Sequence, residues 1–139
     1  MTILLDTGFI FALLNHEDAA HGPAADLASR IGRREWGTPL VTELVVAELF
    51  SLIRARTGSA KLEEAARQWL PLPNPSLRGL TLAPVGGALL EKSWEVFAKY
   101  RDQRLSFTDA SLLALAEAMR VERIATFDRG LSSLARTIP

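Results

Sequence analysis

The stretch Thr2-Ile3-Leu4-Leu5-Asp6-Thr7-Gly8, followed by Phe9-Ile10-Phe11-Ala12-Leu13-Leu14, decides the fold class. Thr2 to Leu5 is a short apolar run with two β-formers and reads as a strand buried on both faces. Phe9 to Leu14 stays apolar without alternation and reads as a helix, with Asp6-Thr7-Gly8 as the connection. A buried strand feeding directly into a helix is the opening of an α/β unit with a parallel sheet.

The rest of the chain repeats that alternation. A loop through Asn15, His16, Glu17 and Asp18 leads to a helix over Pro23 to Arg34, closed by Trp36-Gly37, and Leu40-Val41 form a second short strand. Thr42 to Arg56 carries Val45, Val46, Leu49, Phe50 and Ile53 at amphipathic-helix spacing, and Gly58 ends it. Ser59 caps a further helix reaching Leu70, so the two form a helical hairpin. Pro71, Pro73 and Pro75 impose an extended loop. Leu80 to Val85 reads as a third strand, Ala88 to Tyr100 and Thr108 to Arg120 as helices, Arg123 to Phe127 as a fourth strand, and Leu131 to Arg136 as a short helix. The expected architecture is a three-layer α/β/α fold around a short, mostly parallel sheet.

At 139 residues the chain is one domain, residues 1–139, burying roughly two thirds of its exposable surface. Apolar residues at 48% against 23% charged exclude intrinsic disorder. Sixteen basic residues balance sixteen acidic ones, so attraction to nucleic acid must come from local clustering. The basic set is thirteen Arg to three Lys, a skew that suits phosphate contacts and also follows from codon bias. Without cysteine there are no disulfides, thiolate metal sites or thiol nucleophiles. No apolar run approaches the roughly 18 residues of a membrane span, and nothing resembles a secretory signal, which makes the expected compartment the cytoplasm and excludes a membrane partner.

Four acids stand where acids are costly or conspicuous. In an open α/β sheet, ligands collect outside the carboxyl ends of the strands. Asp6 ends the first strand and Asp128 the last, so both should face that crevice, although taken singly each is explained by a turn or a helix cap. Glu48 has Leu44, Val45 and Leu52 as its helical neighbours, and a carboxylate there needs a metal, a hydrogen bond or an Arg partner. Asp109 opens a helix, where the dipole favours it and Thr108 can cap. If the four converge, an oxygen-only set suits a hard divalent cation, Mg²⁺ or Mn²⁺, rather than zinc or copper. The chemistry associated with such a site is metal-assisted phosphodiester hydrolysis, with one ion or two.

The segments Ile3-Leu4-Leu5-Asp6-Thr7-Gly8, Val45-Val46-Ala47-Glu48-Leu49, Leu105-Ser106-Phe107-Thr108-Asp109-Ala110 and Ile124-Ala125-Thr126-Phe127-Asp128-Arg129 resemble, in order and context, the blocks of the PIN domain. The likeness is greatest to the VapC group, toxin ribonucleases of bacterial and archaeal toxin-antitoxin pairs. It implies an Mg²⁺- or Mn²⁺-dependent endoribonuclease with Asp6, Glu48, Asp109 and Asp128 as catalytic and metal-binding acids, and Thr7 and Thr126 as hydroxyls orienting carboxylates. It also implies a single-stranded RNA substrate, a cognate antitoxin and a homodimer. Gly8 departs from the pattern, since many members carry Asn or Ser there.

Lys99, Arg101, Arg104 and Arg129 lie near the acidic blocks and are candidate RNA contacts, or simply solvated charges. His16 and His21 have a poor spacing for joint metal ligation and read as surface residues. Trp36, Trp69 and Trp94 read as core or dimer contacts before base-stacking platforms. Competing functions are a PIN-type nuclease without an antitoxin, acting on housekeeping RNA or on DNA, and a PIN-like binding module without activity. A signalling receiver domain also gathers acids at strand ends, but this chain lacks an acidic pair after the first strand and a lysine after a late one.

Overall fold

The computed structural model describes residues 1–74 and 79–139; Pro75 of the expected extended loop lies outside the described residues. The sheet is built from β1 (Thr2–Leu5), β2 (Thr38–Thr42), β3 (Thr81–Ala83), β4 (Arg123–Ala125) and β5 (Thr137–Ile138). Their order is β3-β2-β1-β4-β5, and every neighbouring pair is parallel. Ile3, Leu4 and Leu5 point alternately to opposite faces yet are all at most 1% exposed, so helices cover both sides of the central strand.

The covering helices are α1 (Thr7–Leu14), α2 (His21–Gly32), α3 (Glu43–Thr57), α4 (Ala60–Trp69), α5 (Gly87–Lys99), α6 (Phe107–Met119) and the single turn α7 (Arg129–Ser132). Helix α1 packs on α2 and α3, α3 on α4, and α5 on α6. The chain winds outward from β1 to β3 and then returns to lay β4 on the other side of β1. That reversal puts a switch point between the carboxyl ends of β1 and β4, which is where such folds bind ligands. The Asp6 amide continues the pairing there, donating to the Ala125 carbonyl at 3.1 Å.

At the starts of α1 and α6, side-chain capping moves the helix ends from the expected ones, while β3 and β4 are shorter than the expected Leu80–Val85 and Arg123–Phe127. Asp6 accepts from the Phe9 amide and starts α1 at Thr7, so Thr7 and Gly8 belong to the helix and not to a connection. Ser106, rather than Thr108, caps α6; its hydroxyl accepts from the Asp109 amide while the Asp109 carboxylate accepts from the Ser106 amide, a reciprocal box. Helix α2 starts two residues before Pro23, which is tolerated in the first turn because its missing N–H would have no helical partner there. Gly58 closes α3 in the left-handed region at φ 60°, and Ser59 caps α4.

The C-terminal expectation needs a larger correction. Asp128 caps α7 at Arg129, the turn is over by Ser132, and Thr137–Ile138 form a fifth strand beside β4 instead of trailing a helix that reaches Arg136. Two residues carry no readable periodicity, so only pairing with β4 defines this strand. Of the tryptophans, Trp69 packs against the core and Trp36 lies half-buried beneath the Arg30 guanidinium. Trp94 is 51% exposed on α5 and is no part of the core.

Candidate active site

Asp6 leaves the end of β1 and is only 4% exposed. Its two oxygens have separate tasks: Oδ1 accepts the Phe9 amide at 2.7 Å, and Oδ2 accepts the hydroxyl of Thr126. Thr126 Oγ1 in turn accepts the Asp128 amide at 3.0 Å, which leaves the hydroxyl proton to point at Asp6. Burial pushes the Asp6 carboxyl up to about 7, against the opposing effect of those two hydrogen bonds, and the charges of Asp109 and Asp128 push it further the same way. Near neutral pH, and without a cation, Asp6 is therefore divided between its neutral and charged forms.

Asp109 faces Asp6 from the first turn of α6. Its carboxyl is also raised, first by burial and then by the charges of Asp128 and Glu48, while its bonds to Ser106 oppose the shift. Capping and facing the other acids were alternatives in the sequence; in the fold one side chain does both. Asp128 likewise caps α7 through Oδ1, which accepts the Gly130 amide at 2.7 Å, while standing exposed at the rim. Glu48 is half-buried on α3 and, among the described residues, has no ion pair with an Arg.

All four acids line one cleft of about 500 Å³ at the switch point. Among the described residues no three His, Asp or Glu side chains form a ready-made metal cage, so the acids stand as separate walls. Like charges held in one cleft repel, and that repulsion opposes tighter gathering unless a cation is present. The donor set is oxygen only and, among the described residues, free of ion pairs, and it fits a hard divalent cation. Thr7 also lines the cleft, but among the described residues its buried hydroxyl has no hydrogen-bond partner and, unlike that of Thr126, orients no carboxylate. A Cβ on Gly8 would meet only Asp6 Oδ1, at an ordinary contact distance of 3.9 Å, so the position has room for a Cβ.

None of Lys99, Arg101, Arg104 and Arg129 lines this cleft; all four are exposed, and the Lys99 ammonium sits 5.2 Å from the Tyr100 ring. The cation that does line it is Arg56, which the sequence reading passed over. Its signal was present in the spacing: Glu48, Leu52 and Arg56 recur every four residues on α3 and all line the cleft. Asp18 is a fifth acid at the edge, with Oδ1 already accepting the Ala20 amide at 2.8 Å. The two histidines stack at 4.3 Å, and His21 Nδ1 lies 3.0 Å from the Ala12 carbonyl oxygen, which makes His21 half-buried rather than a free surface residue.

Known proteins resemble this chain along nearly its whole length. Ribonuclease VapC26 of Mycobacterium tuberculosis is 33% identical over 141 residues, covering 98% of this chain and 93% of that protein. The crystal structure of Mycobacterium tuberculosis VapC20, a toxin that cleaves the sarcin-ricin loop, matches with a TM-score of 0.79 at 25% identity, over 94% of this chain and 93% of that one. VapBC2 from Rickettsia felis, solved with a fragment of its promoter DNA, shares the fold with a TM-score of 0.70 at 11% identity, over 99% of this chain and 98% of that one. Residues 3–137 match the model of the PIN domain, and this chain belongs to the PIN domain family.

Proposed function

We propose that this chain is an endoribonuclease that hydrolyses phosphodiester bonds in single-stranded RNA, using Mg²⁺ or Mn²⁺ held by Asp6, Glu48, Asp109 and Asp128, and that it is the toxin of a toxin-antitoxin pair. The observation that carries the reading is the assembly of these four acids in one cleft at the switch point, with Asp6 buried and its carboxyl raised to about 7. The 33% identity to a named VapC ribonuclease supports the substrate class, and the VapC likeness supports the antitoxin.

When bound, such a cation would lower the pKa of water and neutralise charge on the phosphate and the leaving oxygen. The chain's own residues prepare the site for it. The Phe9 amide and the Thr126 hydroxyl fix both oxygens of Asp6, so the carboxylate need not reorganise when it becomes a ligand. Asp6 must lose its proton to ligate, which ties cation affinity to pH. The capping bonds of Asp109 and Asp128 hold those carboxylates to the starts of α6 and α7. Glu48, with no Arg partner among the described residues, supplies the fourth wall from α3. The direct test is cleavage of a labelled single-stranded RNA in Mn²⁺, with EDTA and Glu48→Gln each expected to abolish it; full activity in EDTA overturns the mechanism.

A further inference from the structure

The acid cleft does not end at its acids. A larger groove of about 1030 Å³ shares Phe11, Asp18 and Arg56 with it, so the two are continuous. This groove runs between the loop after α1 and the junction of α3 with α4, and its walls include His16 and Lys61. Arg56 stands where cleft and groove meet. Arg30, Arg33, Arg54 and Arg67 are each paired with a glutamate, whereas Arg56 has no acidic partner among the described residues. Its guanidinium instead lies 5.7 Å from the centre of the Phe11 ring, a contact that steadies the group while leaving its charge available. It is the one cation lining the acid cleft among the described residues.

We propose that Arg56 is a positioning residue that holds a backbone phosphate beside the acids and directs a single RNA strand into the adjoining groove, past Lys61 and the ring of His16. The inference rests on the ribonuclease reading and names the path of its substrate. A strand with one phosphate at the acids must leave through a neighbouring opening, and this groove is continuous with them. Guanidinium forks match phosphate oxygens in a bidentate way. The His16 ring is held by stacking on His21 and gives an unpaired base an aromatic surface to pack against. Glu17 and Asp18 also line the groove, so the attraction is local to Arg56 and Lys61 and is not a general positive field.

The test compares wild type, Arg56→Ala and Arg56→Lys by fluorescence anisotropy with a labelled single-stranded RNA in EDTA over a salt series, and by cleavage in Mn²⁺. Arg56→Ala should raise Kd about tenfold and lower the slope of log Kd against log salt by about 0.7, the value of one lost phosphate contact on a single strand. KM should rise much more than kcat falls. Arg56→Lys should keep the salt slope and recover part of the affinity, which a purely structural role of Arg56 would not produce. Wild-type cleavage with unchanged Kd and salt slope in Arg56→Ala overturns this inference alone. Unchanged RNA binding with weakened binding of a polypeptide partner also overturns it and assigns the groove to protein. Absence of RNA cleavage by the wild type in Mn²⁺ overturns the ribonuclease reading, and this inference with it.

Discussion

The hydroxyl of Thr126 donates to Oδ2 of Asp6 across 120 residues of sequence, and it joins the ends of the two strands that flank the switch point. Its oxygen accepts the Asp128 amide, so one hydroxyl links two of the four acids. A threonine at the end of β4 thereby sets the orientation of a carboxylate at the end of β1.

Thr126→Val keeps the shape and removes the donor. The variant should fold, and its Mn²⁺ affinity by calorimetry should fall about 10- to 100-fold, the usual effect of losing a group that orients a metal ligand. Affinity equal to wild type would mean that the Asp6 orientation is set elsewhere.

Stability of the metal-free protein should fall with rising pH because of Asp6. Its folded-state carboxyl titrates at about 7 and its ordinary value is 3.8, so the folded state holds the proton more tightly. The stability this provides is complete below about pH 4 and is lost as pH rises through 7. The gap corresponds to about 4 kcal/mol. Asp6→Asn stays neutral and can still cap α1, so in EDTA it should match wild type near pH 4 and exceed it by a few kcal/mol at pH 8. Urea melts at the two pH values measure this; a constant difference contradicts the burial argument.

Gly58 takes φ 60° at the end of α3, and a Cβ there would meet no atom within 4 Å. Gly58→Ala should therefore cost about 1 kcal/mol through backbone strain alone. Nuclease activity at 25 °C should be unchanged. An increase in Tm would show that the left-handed cap is not required.

Leu90, Trp94 and Phe97 recur on α5 at helical spacing and are 40%, 51% and 36% exposed. This stripe suits the homodimer expected of the family. Light scattering at micromolar concentration should give a dimer for wild type and a monomer for Trp94→Glu. A wild-type monomer, or a Trp94→Glu dimer of equal affinity, removes this stripe as the interface.

Much of this was legible in the sequence because the signals are local. The run Thr2 to Leu5 identified β1, and the amphipathic spacing of α3 placed Glu48 at the edge of its buried stripe. Ser106 and β5 were less legible. Ser106 and Thr108 are both competent caps two residues apart, and only the return bond from Asp109 chooses between them. The two residues of β5 are fixed by their ladder to β4, a contact that no local pattern reports. Arg56 lies eight residues from Glu48 and outside every acidic block, so nearness in sequence does not point to it. The fold instead brings it in two turns along the same helix face as Glu48.

The claim that the four acids form one cation site is tested most directly by calorimetric titration of Mn²⁺ into wild type, Asp6→Asn, Glu48→Gln, Asp109→Asn and Asp128→Asn at pH 8. Asp6 is then ionised in the wild type. Wild type should bind Mn²⁺ saturably, and each of the four variants should bind it at least about tenfold more weakly. No binding by wild type, or wild-type affinity in any one of the variants, would contradict the four-acid site.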